Sequence, residues 1–296
     1  MSADGAARYN RAMLPPGFRS SALRVSLVVA AAALAAGMRT AAAQPPPSVD
    51  PADLVRQGQQ KDLAGQYADA RKDFAKALEA ADSQRAKSAA LRSMAISYAF
   101  ERNCKAATPY ESQLYETLLA QGAFYDAGEV ADELARICID AGSLDEALKW
   151  YQVGHTAGLR EPKITPARKD LWDFRWEHAQ ARIAARRGRK ADADAHVAEA
   201  KKILDRGTNP DQAVFFPYLT GYVALYTGDY KTALADLQRA NQNDPFIQCL
   251  IAQTYEKLGD KAQATTYYRK ALTTSNAHNP PNAYARPLAR KKVGNS

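Results

Sequence analysis

The side chains in this sequence that could do chemistry are few and widely spaced. Four histidines, His155, His178, His196 and His278, are scattered along 296 residues, and none belongs to the H-E-x-x-H pair that holds a catalytic zinc on one helix face. Gly154-His155-Thr156-Ala157-Gly158 has the glycines of a nucleophile elbow but no serine to attack a carbonyl. Asp192, Asp194 and His196 are metal-ligand types. Their alternation spreads them around a helix start, where acids favour the positive end of the dipole, so they read as solvated N-terminal acids. No glycine-rich phosphate loop follows a strand. The sequence therefore assigns no catalytic residue, no metal site and no cofactor.

Two side-chain stripes are better organised. Arg175, His178, Arg182 and Arg186 are spaced by 3, 4 and 4, which keeps all four on one helix face. Forty residues later the same phase gives Phe215, Tyr218, Tyr222 and Tyr226. Arginine offers a bidentate fork to carboxylates, and tyrosine offers wide contact area with a polar tip. Together they would suit a partner carrying acidic groups beside aromatic ones. The competing reading is plainer: charged stripes solvate a helix and aromatic ones fill a core. Arg186-Arg187-Gly188-Arg189-Lys190, with Trp172 and Trp176 close by, imitates a nucleic-acid patch. It reads instead as a solvated turn next to two core-facing tryptophans.

The elements that must position these stripes are helices. Ala, Leu, Lys, Arg, Glu and Gln dominate from residue 49 onward, apolar residues recur three and four apart, and turn-like breaks separate segments of helical length. Within this all-α pattern lies an internal repeat. Gly65, Gly142, Gly228 and Gly259 are each followed five residues later by an alanine, at 70, 147, 233 and 264. Four residues further comes a bulky side chain (Phe74, Tyr151, Leu237, Tyr268), and three beyond that a small one (Ala77, Gly154, Ala240, Ala271). Small residues at matched heights let antiparallel helices approach, and the bulky residue fills the space to the next pair.

This lattice resembles the tetratricopeptide repeat, a helix-turn-helix unit that stacks into a right-handed superhelix. The resemblance is strongest near 52–81, 215–244 and 246–275, and Pro245 stands where that family places a proline between units. A unit around Ala181, Gly188, Ala193, Val197 and Ala200 is weaker. In another, Arg102 replaces the turn glycine and Glu111 and Leu114 take the bulky and small positions, which leaves its stacking open. The alanines at 70, 107, 147, 193, 233 and 264 count six helix pairs over 50–279. The widest gap coincides with a Pro-containing loop at 158–166. A short helix from about 282 to 293, in which Pro287 would suit only the first turn, is expected to cap the solenoid within 280–296.

The resemblance implies that the first helix of each pair lines a concave groove that receives a peptide or partner helix. By phase, that groove would include the two stripes above, preceded by Glu129, Asp132, Arg136 and Asp140 and followed by Phe246, Cys249, Gln253 and Lys257. The family's carboxylate-holding Lys and Asn pattern is not reproduced here.

The N-terminus has a different character. Residues 1–43 contain five arginines and one acid, and an apolar run at 25–37 follows Arg24. The run is too short for a bilayer of roughly 30 Å, and Ala41 and Ala43 supply the small-x-small cleavage signal. This reads as a signal peptide cut near Ala43, with an uncleaved anchor as the alternative, followed by a Pro-rich linker at 44–49. Cleavage removes five Arg and one Asp, so a net charge of +8 becomes +4, which weighs against a nucleic-acid partner. Export also bears on Cys104, Cys138 and Cys249. Three buried reduced thiols are the preferred reading. A Cys104–Cys138 bridge is the alternative, because both lie toward the same edge of the stack.

The sequence thus predicts an all-α, right-handed α-solenoid of about six antiparallel helix pairs plus a C-terminal helix, of exported bacterial type, periplasmic or secreted. Its expected function is non-catalytic protein–protein interaction, with an acidic or aromatic peptide or helix as partner. No membrane span is expected after cleavage, and the oligomeric state is left undetermined. Competing readings are an envelope assembly or chaperone-like factor and an enzyme whose active site carries no recognisable motif.

Overall fold

The computed structural model describes residues 50–294. The signal peptide expected at 1–43, the linker expected at 44–49 and the last two tail residues lie outside the described residues. Within them the chain is an all-α solenoid. Six helix pairs follow one another: α1 (Pro51–Ala64) with α2 (Tyr67–Ala80), α3 (Gln84–Phe100) with α4 (Cys104–Ala120), α5 (Phe124–Ala141) with α6 (Leu144–Gly158), α7 (Pro166–Arg186) with α8 (Lys190–Asp205), α9 (Phe216–Thr227) with α10 (Tyr230–Arg239), and α11 (Pro245–Leu258) with α12 (Lys261–Thr273). A 3₁₀ turn (Pro210–Phe215) precedes α9, and α13 (Pro280–Gly294) ends the array. None of the described helices is long and apolar enough to cross a membrane.

The spacing lattice acts as its chemistry requires. The six alanines at 70, 107, 147, 193, 233 and 264 are all buried, as are Phe74, Tyr151, Leu237 and Tyr268. At Gly58 a Cβ would lie 2.4 Å from the Phe74 ring, so α1 and α2 reach their separation only because that side chain is a hydrogen. Each pair turns at a left-handed residue: Gly142 has φ 87°, and its N–H reaches back to the Cys138 and Ile139 carbonyls.

The weakest repeat unit stacks like the others. Arg102 takes the turn position with φ 55°, a conformation that costs an L-residue roughly 1–2 kcal/mol. Its guanidinium lies 4.9 Å from the Tyr284 ring centroid, a contact that glycine could not make. Glu111, at the bulky position, is fully buried, next to Arg92 and Glu133, whose ion pair spans α3 and α5 at 2.6 Å. Burial, and then the Glu133 carboxylate, hold the Glu111 carboxyl well above its ordinary value of 4.5. A raised carboxyl favours the folded state fully only below that ordinary value, and the benefit is lost as pH rises toward the folded value. Glu111→Gln is therefore expected to leave stability at pH 4 nearly unchanged and to raise it at pH 8 by about 1–3 kcal/mol. Urea midpoints measured across that range check this; a difference that does not grow with pH would contradict it.

The cysteines depart from the preferred reading. Cys104 opens α4 and Cys138 lies in the last turn of α5; their Cα atoms stand 4.8 Å apart and their sulfurs are bonded. The antiparallel crossing of α4 and α5 brings these two ends together, so the pair is bridged and Cys249 alone stays a buried thiol. The bridge closes a separation of 34 residues. Changing both cysteines to serine is expected to cost about 3–4 kcal/mol, read as a lower urea midpoint that reductant no longer shifts.

The C-terminal helix is longer than expected and does more than cap. It spans Pro280–Gly294, with Pro280 and Pro281 at its start and Pro287 in its interior. It packs against α12 and α11 on one side and against α3 and α5 on the other. Tyr284, Ala285 and Ala289 are consequently buried. His278, just ahead of it, places Nε2 2.7 Å from Asp62 Oδ2 on α1, and Arg290 donates to the Leu63 carbonyl. The helix that would have solvated one end of an open array instead joins its two ends.

Candidate functional site

The first helices of the pairs form an inner wall, and the predicted stripes lie on it. Thr165 starts α7 by accepting from the Arg168 N–H at 3.2 Å, with Pro166 as the first helical residue. The long helix that follows carries Arg175, His178, Arg182 and Arg186 in line. Pro217 in its first turn and Gly228 at its end bound α9, which carries Tyr218, Tyr222 and Tyr226. Phe215 is not part of that stripe. It closes the 3₁₀ turn ahead of α9 and packs toward the core shared by α7, α8 and α9.

These side chains do not line an open groove; they face one another. Arg182 donates from Nη1 to the Tyr218 hydroxyl at 3.2 Å, from Nη2 to Tyr151 at 2.8 Å and from Nε to the His178 carbonyl at 3.3 Å. Arg186 donates to the Tyr222 hydroxyl at 3.3 Å and lies 4.9 Å from the Tyr226 ring centroid. Arg175 pairs with Glu129 at 2.7 Å and stands 4.0 Å from Asp132. His178 is 8% exposed, Arg182 5% and Tyr222 1%. The physical reason is the packing of α7 against α6 and α9, which leaves the Arg182 and Arg186 forks within reach of phenols on those two helices. The plainer reading describes Tyr222, which is buried, whereas Arg182 is buried among phenols instead of solvating its helix.

Electrostatics follow from that burial. Desolvation, with Arg182 and Arg136 nearby, holds the His178 imidazole well below its ordinary value, so it is neutral. Burial pushes Asp132 up to about 7, with Arg175 opposing, and Tyr284 up to about 12. The acids of the earlier metal-type cluster are engaged on the surface: Asp194 with Lys190 at 2.6 Å, Asp192 with Arg189 at 3.4 Å, and His196 with Glu177 at 2.7 Å. No group of three or more His, Cys, Asp and Glu among the described residues is placed to hold a metal ion.

Sequence reasoning did not assign three contributors to this wall. Tyr151 carries the bulky position of its repeat, which conceals the role of its hydroxyl. Tyr284 and Arg102 meet only because α13 returns to α3. The signal for Tyr151 was available: it is the only phenol among the bulky residues except Tyr268, and a buried phenol usually requires a partner.

Comparison with known proteins bears on the last pair. The tetratricopeptide repeat model matches residues 247–278. The α11–α12 pair is thus similar to a tetratricopeptide repeat in sequence as well as in shape. Among solved structures, one match is the crystal structure of the APC/C hetero-tetramer Cut9-Hcn1, with 16% identity, 83% of this chain covered and a TM-score of 0.43. The chain spans 42% of that protein's length. No curated protein matches the sequence. The tetratricopeptide match begins inside α11, the helix whose Phe246 ring lies 4.0 Å from the Arg136 guanidinium and 6.0 Å from the Tyr218 ring. The recognised repeat therefore borders the same inner wall.

Proposed function

We propose that this protein is an exported, non-catalytic scaffold of the cell envelope that holds a helix of a partner protein on its inner wall, in exchange with α13. The observation that carries this reading is the seat of α13 itself. It lies against the first helices α3, α5 and α11 as well as against α12, the second helix of the last pair, and joins the array through the non-helical segment 274–279. Its own chemistry defines what would replace it: an aromatic residue in the place of Tyr284, and basic residues in the places of Arg290 and Lys292, which meets Glu256 at 2.7 Å. Support for the envelope location is the apolar run at 25–37 between Arg24 and Arg39, followed by the small-x-small pair Ala41 and Ala43.

Cross-linking in envelope extract tests the reading, comparing the wild-type protein with an Arg290→Ala, His278→Ala variant that loosens α13. The expected result is stronger capture of one defined partner by the loosened protein, with competition by a synthetic peptide of residues 280–294. Equal capture by both, unaffected by the peptide, would remove the inner wall from the proposal.

A further inference from the structure

Five polar groups converge around Tyr218 on the inner wall: Arg136 from α5, Tyr151 from α6, His178 and Arg182 from α7, and Tyr218 itself from α9. Tyr218 accepts from Arg182 at 3.2 Å, its ring lies 5.2 Å from that of His178, and Phe246, over which Arg136 sits, is 6.0 Å away. The cluster holds two permanent cations, because a guanidinium cannot shed its proton in a protein. Asp140 engages one of them, through Arg136 Nε at 2.9 Å. Arg182 has no carboxylate partner among the described residues; all its hydrogen bonds go to two neutral phenols and one carbonyl.

Two nitrogens, a guanidinium donor and an imidazole nitrogen that donates in one of its two tautomers, point to what is needed. Arg136 Nη2 and His178 Nε2 are both buried without a hydrogen-bond partner. A buried cation without a counter-charge and a buried donor without an acceptor are both costly, and one ligand answers both. We propose that the Arg136, His178, Arg182 and Tyr218 cluster is a binding site for a small oxyanion, a phosphate or a carboxylate. Arg182 and Arg136 supply its charge-assisted donors, and the neutral His178 imidazole supplies a further N–H. Asp132, within electrostatic reach of Arg182, does not fill this role. Its carboxyl stands 4.0 Å from Arg175, no hydrogen bond joins it to Arg182, and burial pushes it up to about 7. The Arg136 side chain keeps 15% of its surface exposed, so the cluster meets solvent at that side chain. This site does not depend on the partner-helix reading above, since an ion can bind whether or not α13 is displaced.

The test uses the full chain, with inorganic phosphate and acetate as probes at ionic strength matched with chloride. About 20 mM phosphate is expected to raise the wild-type Tm by roughly 4 °C over chloride for a Kd near 1 mM. Arg182→Gln and Arg136→Gln are expected to weaken that response at least about tenfold in apparent affinity. Lys202→Gln, on the exposed face of α8, should respond like the wild type. A readout independent of variant stability is the ring-nitrogen NMR signal of His178, which should move with phosphate while that of His155 does not. A greater response to acetate than to phosphate would assign the site to carboxylates. A wild-type His178 signal that phosphate and acetate both leave in place would overturn the proposal, as would a folded Arg182→Gln protein that keeps the full Tm response.

Discussion

Replacing Gly158 by alanine is expected to destabilise the protein by about 3 kcal/mol or more, the upper end of what overpacking produces. Gly158 is the last residue of α6. A Cβ there would lie 1.9 Å from Trp172 Cε2, 2.2 Å from Cδ2 and 2.3 Å from Nε1. The indole cannot swing aside cheaply, since it is fully buried and its Nε1 donates to Glu161 at 3.0 Å. The same ring closes on Gly128 of α5, 2.5 Å from where a Cβ would stand there. Three helices are thus locked around one side chain. Chemical unfolding in urea measures the loss, and the physical cause is separable: in a Trp172→Leu background the Gly158→Ala change should cost much less, because the smaller side chain vacates the contested volume. Additive costs would show that the clash is not the cause.

The second large effect is expected at the closure of the array. Asp62 is completely buried and accepts from His278 Nε2 at 2.7 Å and from Ser97 Oγ at 2.8 Å. Asp62→Ala leaves both donors inside without an acceptor, at a cost of about 3 kcal/mol. His278→Ala should cost less, since Asp62 keeps Ser97. Neither loss should spread evenly. In an open array each unit contacts only its neighbours and can unfold piecemeal, whereas the α13 contacts tie α1 and α3 to α11 and α12. The expected result is faster amide exchange throughout α13 and α1 in both variants, with protection in α7 and α8 retained. Uniform loss of protection along the chain would instead mean that Asp62 supports the whole core and not the closure.

These two sites mark the boundary between what is local and what is not. The helix pairs were legible because their determinants are local: a small residue, a turn, an alanine and a bulky side chain recur within one pair, and they set the contact between its two helices. Even the departures were visible as departures, although it took the structure to show that Arg102 accepts the left-handed turn and that Glu111 is buried where an aromatic ring would be. Gly158 read as the start of a loop that contains two prolines. Nothing in its neighbourhood announces that Trp172, fourteen positions later, lies against its Cα.

The inner wall shows the same division on a larger scale. Periodicity placed Arg175, His178, Arg182 and Arg186 on one face of one helix, and Tyr218, Tyr222 and Tyr226 on one face of another, and both assignments describe the structure. What periodicity could not decide is whether those faces look at solvent or at each other, since that depends on how tightly successive pairs curl. Contacts such as His278 with Asp62, 216 residues apart, and Arg290 with Leu63, 227 apart, join segments that no local pattern relates. By itself the sequence determined the helices, their pairing and which side chains share a face of α7 and of α9, because helix propensity, turn chemistry and side-chain period act over a few residues. Only the tertiary structure decided that Cys104 and Cys138 meet, that the arginine and tyrosine stripes interlock, and that α13 closes the array, because each requires two distant surfaces to arrive at the same place.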